Sequence, residues 1–580
     1  MESVSADTAT VNINTNGKDK QTYDAIVIGS GISGGWAAKE LCEKGMKTLV
    51  LERGRNIEHL KDYPTMTKMP WELEHRGRMS REFLKSNPLI SKASGFGEDT
   101  AHFFIKDEDH PYVQEKPFDW IRGYQVGGKS LIWGRACQRW SDFEFTAPAK
   151  LGYGIDWPIR YEDVAPWYSH VEKFIGVTGN KDGVASMPDG EFLPPYDLNC
   201  VEKHLQKRLL EEYKDRYLVQ GRWAHLSEPN EIHTKQGRGK CQARNLCMRG
   251  CPYGGYFSSV TSTLPWAANT GNLTVRPFSV VHSIIFDEQK QKATGVRVID
   301  SETKETTDYF AKVIFINASA LNSTLIMLNS TSARFPNGLG NDHDILGRYI
   351  AFHNYRGFVS AGVEGFGDKY YYVRNPVEQI IANYRNLGKQ DTDFVGGYTI
   401  FTGASRARGK QSPEDAGIGI ELKDTITKPG GGESYMYMQG ETIPKAGNHV
   451  RLSKDSKDQW GIPLLVTSVG YDDNDEKMTK DFLDQSKEMY ERAGFKVLRT
   501  SDSKQAPGLD IHEMGGARMG KDPKTSMLNG NNQLHQSKNV FVTDGACMTS
   551  TGNQSPSILY MALTARAANH AVVELKKGNL

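Results

Sequence analysis

The chain has 580 residues, which is too long for one simple core and long enough for two interwoven domains. It carries 71 lysine and arginine residues against 70 aspartate and glutamate residues, so no global charge would hold a nucleic acid or an anionic membrane surface. No apolar run approaches the ~18 residues that a bilayer-spanning helix needs, and we expect neither nucleic acid binding nor a direct membrane span.

The N-terminal segment, residues 1–22, is polar and lacks the basic-then-apolar layout of a secretory signal. We interpret it as a disordered leader. Export would then require a partner that carries a signal, and the expected location stays open between the periplasm, reached by co-export, and the cytoplasm.

The next fifty residues read as strand, glycine turn, helix and strand. Residues 23–29 form a short apolar run that ends in glycine, which indicates a buried parallel strand. Helical spacing follows over 32–44, and residues 47–51 predict a second buried strand. Residues 56–118 have no clear period, and we interpret them as a long excursion that covers a cofactor.

The glycine turn fits the G-x-G-x-x-G pattern of dinucleotide-binding proteins. Gly29 permits the tight turn, Gly31 lets the backbone approach a pyrophosphate, and Gly34 lets the helix pack close to the strand. Glu52, at the end of the second strand, can accept hydrogen bonds from ribose hydroxyls. The motif alone does not separate FAD from NAD.

The remaining elements divide the chain into two kinds of structure. Alternating strands, such as 396–402 and 434–439, dominate residues 349–500 and indicate a sheet-based substrate domain. On both sides of that region, the pattern predicts paired strands at 272–287 and 293–299, buried strands at 312–316 and 540–543, a helix at 321–328 and a long helix at 556–575. The cofactor domain is therefore predicted to combine residues 23–348 and 501–580.

Three later stretches resemble the glucose–methanol–choline (GMC) oxidoreductase family. Residues 122–130 (RGYQVGGKS) look like its glycine-rich flavin segment. Residues 318–330 resemble its second signature, although Ser319 stands where the family has glycine. Residues 540–556 resemble its last strand, flavin turn and final helix. The resemblance implies an α/β fold with a Rossmann-like FAD-binding domain, assembled from both ends of the chain, plus a β-sheet-based substrate domain.

FAD would be held by residues from the glycine motif and from the matching segments. We assign to it Gly29, Gly31, Gly34, Glu52, Arg53, Gly127, Gly128, Ser130, Val281, Asp544, Gly545 and Ser555. Ser555 is also a good N-cap for the final helix, with Pro556 as its first residue. Pyranose oxidases attach FAD through a histidine where this chain has Ile132, so we expect noncovalent FAD.

Two residues match the catalytic pair of the family. Oxidation of an alcohol by a flavin needs a base at the hydroxyl while the carbon faces flavin N5. His512, which precedes a glycine-rich turn, matches the family's catalytic histidine, and the resemblance implies that it is the base. Asn553 matches the second member and would donate a hydrogen bond to the substrate oxygen. A structural histidine and a helix-capping asparagine are the alternatives.

Cys241, Cys247 and Cys251 lie within eleven residues, in a loop that spans 237–256. Three close thiolates favour ligation of iron–sulfur or zinc, and Pro252 after the last cysteine is common in iron–sulfur loops. The spacing resembles that of bacterial FAD-dependent sugar dehydrogenase complexes, which implies a [3Fe-4S] cluster. A loop without metal and a single disulfide are the alternatives.

Among GMC enzymes, the chain most resembles glucoside 3-dehydrogenases, other sugar dehydrogenase large subunits and pyranose oxidases. The resemblance implies oxidation of a secondary hydroxyl of a sugar or glycoside, with C3 as one candidate carbon. Hydride would pass to flavin N5, and electrons would then reach a cytochrome c rather than O2, in a complex with a small subunit. Tyr370, Tyr371 and Tyr372, and the pair Tyr435 and Tyr437, would be able to stack on a pyranose ring, with ordinary core packing as the alternative.

Two other activities stay open. A pyranose-oxidase-like enzyme would reduce O2 to hydrogen peroxide, and a GMC-like lyase would keep FAD as a structural group.

Overall fold

The computed structural model describes residues 22–369, 371, 377–408, 418–427 and 429–580, so the leader predicted over 1–22 lies, except for Thr22, outside the described residues. The strands are β1 (Thr22–Ile28), β2 (Thr48–Leu51), β3 (Val113–Gln114), β4 (Leu218–Val219), β5 (Leu273–Arg276), β6 (Ser279–Asp287), β7 (Lys292–Asp300), β8 (Thr306–Ile316), β9 (His353–Asn354), β10 (Gly357–Val363), β11 (Gln379–Ile381), β12 (Tyr398–Arg408), β13 (Pro429–Glu441), β14 (His449–Lys457), β15 (Pro463–Ser468), β16 (Lys496–Asp502), β17 (Gln533–Leu534) and β18 (Ser537–Val542). The helices are α1 (Ile32–Glu43), α2 (Arg81–Ser86), α3 (Asp142–Lys150), α4 (Tyr161–Ile175), α5 (Cys200–Glu212), α6 (Glu231–Lys235), α7 (Thr263–Ala268), α8 (Ala320–Asn329), α9 (Ile420–Thr427), α10 (Asp473–Arg492) and α11 (Ser557–Lys576).

The first sheet has a parallel centre. Its strands lie in the order β17-β18-β8-β1-β2-β5, with the antiparallel β6 and β7 attached beside β8. β1 is parallel to both β2 and β8, and the apolar runs of these strands are buried because helices cover the sheet. β18 also runs parallel to β8, and α11 packs against α1. This sheet therefore joins both ends of the chain, as predicted.

The second sheet supplies a wall of the site. Its strands lie in the order β16-β10-β13-β12-β11-β4, and β9 pairs with the end of β13. Met436 and Met438 of β13 are buried in the core that this sheet shares with α5 and α10. Tyr435 and Tyr437 alternate with them and therefore point to the opposite face.

The extent of the second sheet differs from the prediction in one respect. β4 pairs with β11, and α5 packs against α10. Both β4 and α5, however, precede residue 349 by more than a hundred residues. A two-residue strand carries no period that a sequence could reveal. The α/β fold with two sheet-based parts is confirmed, and no helix among the described residues is long and apolar enough to cross a bilayer.

Candidate active site

One cavity of about 790 Å³ is lined by residues from both large sheets. His512 lines it, together with ten of the twelve residues that we assigned to FAD: Gly29, Gly31, Glu52, Arg53, Gly128, Ser130, Val281, Asp544, Gly545 and Ser555. Gly34 and Gly127 do not line it. Residues that are up to 526 positions apart in the sequence thus meet at one site.

The turn after β1 is held by a network of hydrogen bonds. Oε2 of Glu52 accepts hydrogen bonds from the backbone nitrogen of Ser30, at 3.2 Å, and from its Oγ, at 2.5 Å. Oγ of Ser30 accepts in turn from the backbone nitrogen of Gly127, at 2.9 Å, and Oε1 of Glu52 accepts from Gly54. Burial raises the pKa of Glu52. Glu52 therefore ties the two glycine motifs together, and its carboxylate keeps acceptor sites for a ribose.

The same turn has the shape that a pyrophosphate requires. A Cβ atom at Gly31 would meet nothing within 4 Å, so this residue opens onto the cavity. α1 begins at Ile32 without a side-chain cap, which leaves its first N–H groups available to an anion. Elsewhere on the cavity wall, the Oε1 atom of Glu513 and the hydroxyl of Tyr560 are buried without a hydrogen-bond partner in the described part of the chain. The residues present fit FAD.

The second signature departs from the family at a strained position. Ser319 precedes α8 with φ of +73°, a conformation that glycine adopts without strain and serine does not. The backbone at Ser319 therefore has the geometry that a glycine would favour. Ser323, one turn later, donates a 2.5 Å hydrogen bond to Asp544, whose pKa burial raises to about 6.

His512 is paired with a second histidine that the sequence did not reveal. Its Nδ1 lies 2.8 Å from Nδ1 of His353, and the two rings meet edge to face. Nε2 of His353 lies 3.0 Å from the carbonyl oxygen of Gly552. Burial lowers the pKa of His353 to about 4, and burial, with the neighbouring His353 and Lys129, holds that of His512 well below 6.5. Both imidazoles are therefore neutral near pH 7.

Asn553 does not line the cavity. Its Oδ1 accepts a 2.8 Å hydrogen bond from Thr399, and its Nδ2 lies 3.3 Å from Oε1 of the buried Glu144. The amide thus has partners from β12 and α3, and its hydrogen bond to a substrate oxygen stays a prediction. The final helix begins at Ser557 with Pro556 as its N-cap, so the cap lies one residue after the predicted Ser555.

Tyr437 of β13 and Tyr355, which lies between β9 and β10, form the wall next to His512. The ring of Tyr355 lies 6.0 Å from that of His512 and 6.0 Å from that of Tyr437, and both tyrosines line the cavity. Tyr437 stacks on Phe401 at 5.2 Å and on Tyr435 at 6.2 Å. Tyr437 was among the predicted stacking residues, whereas Tyr355 follows no motif. Of the other candidates, Tyr370 and Tyr372 lie outside the described residues.

The cysteine loop borders the cavity. Cys241, Cys247 and Cys251 are free, half-buried thiols, and their three sulfur atoms do not all lie within 4.8 Å of one another. Burial raises the pKa of Cys241, and the other two thiols add to this effect. Met248, next to Cys247, lines the cavity. The three cysteines are thus neighbours in a loop that reaches the cavity through Met248, and none of them forms the disulfide that was one alternative.

Comparisons with known proteins agree with this architecture. Two family models, both described as GMC oxidoreductase, match residues 226–354 and 444–564. A solved structure, pyridoxine 4-oxidase from Mesorbium loti, superposes with a TM-score of 0.57 at 15% identity, covering 94% of this chain and 98% of that one. At this identity, the superposition shows the fold alone.

Three relatives match nearly the whole chain. The fructose dehydrogenase large subunit of Gluconobacter japonicus is 24% identical over 96% of this chain and 98% of its own. The 2-methyl-1,2-propanediol dehydrogenase of Mycolicibacterium austroafricanum is 26% identical over 94% of both chains. The paromamine 6'-oxidase of Streptomyces fradiae is 25% identical over 96% of this chain and 92% of its own.

Proposed function

Because the chain belongs to the GMC oxidoreductase family, whose members bind FAD and oxidise CH–OH groups, we propose that it oxidises a secondary hydroxyl of a sugar or glycoside. The observation that carries this proposal is the presence of His512 on the same cavity as ten predicted FAD residues. When bound, FAD supplies an acceptor for the hydride that leaves the substrate carbon.

The protein's own contribution begins with the proton of the hydroxyl. His512 accepts it as the C–H bond breaks, so that the carbon loses a hydride and the oxygen forms a carbonyl. The lowered pKa of His512 keeps the imidazole unprotonated, and therefore able to accept a proton, at neutral pH.

Two features support a sugar as the substrate. Tyr355 and Tyr437 offer aromatic surface beside His512, which suits the apolar face of a pyranose ring. Two of the three relatives carry the names of enzymes that act on a sugar or an aminosugar. Within this proposal, C3 is the candidate carbon and the product is a 3-keto sugar.

We also propose that electrons leave through the cysteine loop. Cys241, Cys247 and Cys251 would hold a 3Fe-4S cluster, in the loop whose Met248 lines the cavity. A small subunit with an export signal and a cytochrome c acceptor would complete the complex, which supports a periplasmic location. A second candidate function is that of a sugar oxidase that produces hydrogen peroxide, and the similarity to paromamine 6'-oxidase supports it.

The test is reduction of the bound flavin by defined alcohols under argon. The FAD-loaded protein is mixed with D-fructose, methyl α-D-glucopyranoside, paromamine or 2-methyl-1,2-propanediol, and the loss of flavin absorbance is followed. We expect bleaching by at least one sugar, and NMR of the product locates the new carbonyl. Bleaching by none of the sugars would contradict the proposal, and a reduced flavin that reoxidises rapidly in air, with peroxide release, would favour the oxidase.

A further inference from the structure

We propose that His353 is a positioning residue, which fixes the tautomer of His512 so that Nε2 of His512 carries a bare lone pair on the cavity side. This inference deepens the proposed function, because it concerns the base of that reaction. It rests on the partners of three ring nitrogens and on the unpartnered position of the fourth, and no motif in the sequence points to it.

The chain of hydrogen bonds begins at the backbone before the final helix. Nε2 of His353 lies 3.0 Å from the carbonyl oxygen of Gly552 and 3.3 Å from that of Thr551. A carbonyl oxygen can only accept a hydrogen bond, so this nitrogen must carry a proton. Because burial keeps His353 neutral, its Nδ1 is then a bare acceptor.

The position of the proton on His353 in turn determines the position of the proton on His512. The two Nδ1 atoms lie 2.8 Å apart, and one of them must donate. Since Nδ1 of His353 accepts, Nδ1 of His512 carries the proton, and neutral His512 must have a bare Nε2. No hydrogen-bond partner for that Nε2 occurs in the described part of the chain, and the ring lines the cavity.

A buried carboxylate fixes the distance between the two rings. Oδ2 of Asp510 accepts hydrogen bonds from the backbone nitrogens of His353, at 2.9 Å, and of His512, at 3.3 Å. His353 also belongs to β9, which pairs with β13. Both ends of the pair are therefore anchored, and the imidazoles need no reorganisation before the reaction.

The wrong tautomer would present an N–H group to the substrate hydroxyl and could not accept its proton. Loss of a partner that orients a functional histidine costs about 10- to 100-fold in activity in comparable arrangements. Glutamine at position 353 can imitate both bonds, with its amide donating to Gly552 and its carbonyl accepting from His512. Phenylalanine keeps the volume and makes neither bond.

The experiment compares His353→Gln and His353→Phe with the FAD-loaded wild-type protein. Flavin bleaching under argon is measured from about pH 5 to 9 with the sugar that reduces the wild type most rapidly. The other charged and titratable groups that face the pair are Asp510, Lys129 and Glu513, and Tyr355 faces it as well. Burial raises the pKa of Asp510 to about 7, so limiting rates are compared on the plateau above that value.

We expect His353→Gln to stay within about threefold of the wild type and His353→Phe to lose roughly 10- to 100-fold, with FAD still bound. Bleaching of His353→Phe at the wild-type rate, or equal losses in both variants, would overturn the inference. Nitrogen-15 NMR of labelled histidines, assigned with His512→Gln, reads the tautomer without any substrate. A protonated Nε2 on neutral His512 would overturn the inference even if His353→Phe does not fold, whereas a wild type that no sugar bleaches would refute only the proposed function.

Discussion

A Cβ atom added at Gly34 would lie 1.9 Å from the carbonyl oxygen of Gly29, because α1 crosses directly over the turn that follows β1. The backbone of Gly29 therefore prevents a side chain from fitting at position 34. Gly31, between them, has no atom within 4 Å of the position that its Cβ would occupy.

Substitutions of these two glycines should therefore have opposite effects on folding stability and on FAD binding. Gly34→Ala should destabilise the apoprotein by ~3 kcal/mol or more, the upper range for overpacking a core. This loss should be measured as a lower midpoint of urea unfolding. Gly31→Ala should leave that midpoint unchanged but weaken FAD binding by about tenfold or more, because its methyl group occupies the space where a pyrophosphate approaches. Equal effects of the two variants on unfolding would contradict this distinction.

The glycine motif shows what the sequence could predict well. β1, α1 and β2 begin and end within about two residues of the predicted positions, since each has a strong local period and Gly29 punctuates the turn. His353 could not be found in this way. It lies in a two-residue strand, and its partners at 512 and 552 are defined only by the tertiary fold. The partners of Asn553 are equally distant in sequence, which is why no local pattern could reveal them.

Noncovalent attachment of FAD is the second prediction. Ile132 lines the cavity at the position where pyranose oxidases have the histidine that binds flavin, and an alkyl side chain cannot form that bond. We expect acid precipitation of the purified protein to release all of the flavin into the supernatant. Yellow colour that remains with the denatured chain would show that another residue forms the covalent bond.

Removal of the proposed base is the third prediction. His512→Ala should keep FAD bound, but flavin bleaching by a sugar should slow roughly 10²-fold or more, the usual scale for loss of a general base. His343→Ala, in an exposed loop, is the matched control and should behave as the wild type. Bleaching of His512→Ala at the control rate would assign the proton transfer to another group.

The fourth prediction concerns pH. Burial, with His353 and Lys129 nearby, holds the pKa of His512 well below 6.5, so protonation disables the base only in acid. The loss of bleaching that is due to protonation of His512 should therefore occur below pH 6.5, separately from any effect of Asp510, whose pKa burial raises to about 7. An inflection at or above pH 6.5 that disappears in His512→Ala would contradict the lowered pKa.

The last prediction tests the cysteine loop. Three thiolates in one short loop repel one another unless a cation or cluster neutralises them, and burial already raises the pKa of Cys241. If the loop holds a cluster, protein prepared without oxygen should contain about three irons per chain and give the EPR signal of an oxidised 3Fe-4S centre.

Cys247→Ser should remove the iron but leave the flavin reducible by the sugar, because hydride transfer precedes any relay. Turnover with a one-electron acceptor should then fall much more than bleaching does. Cys200→Ser is the control, since Cys200 opens α5 at a distance from the loop in sequence, and it should retain iron and turnover. A wild type that lacks iron after anaerobic preparation and reconstitution would eliminate the relay, and electrons would then have to leave the flavin directly, as in an oxidase.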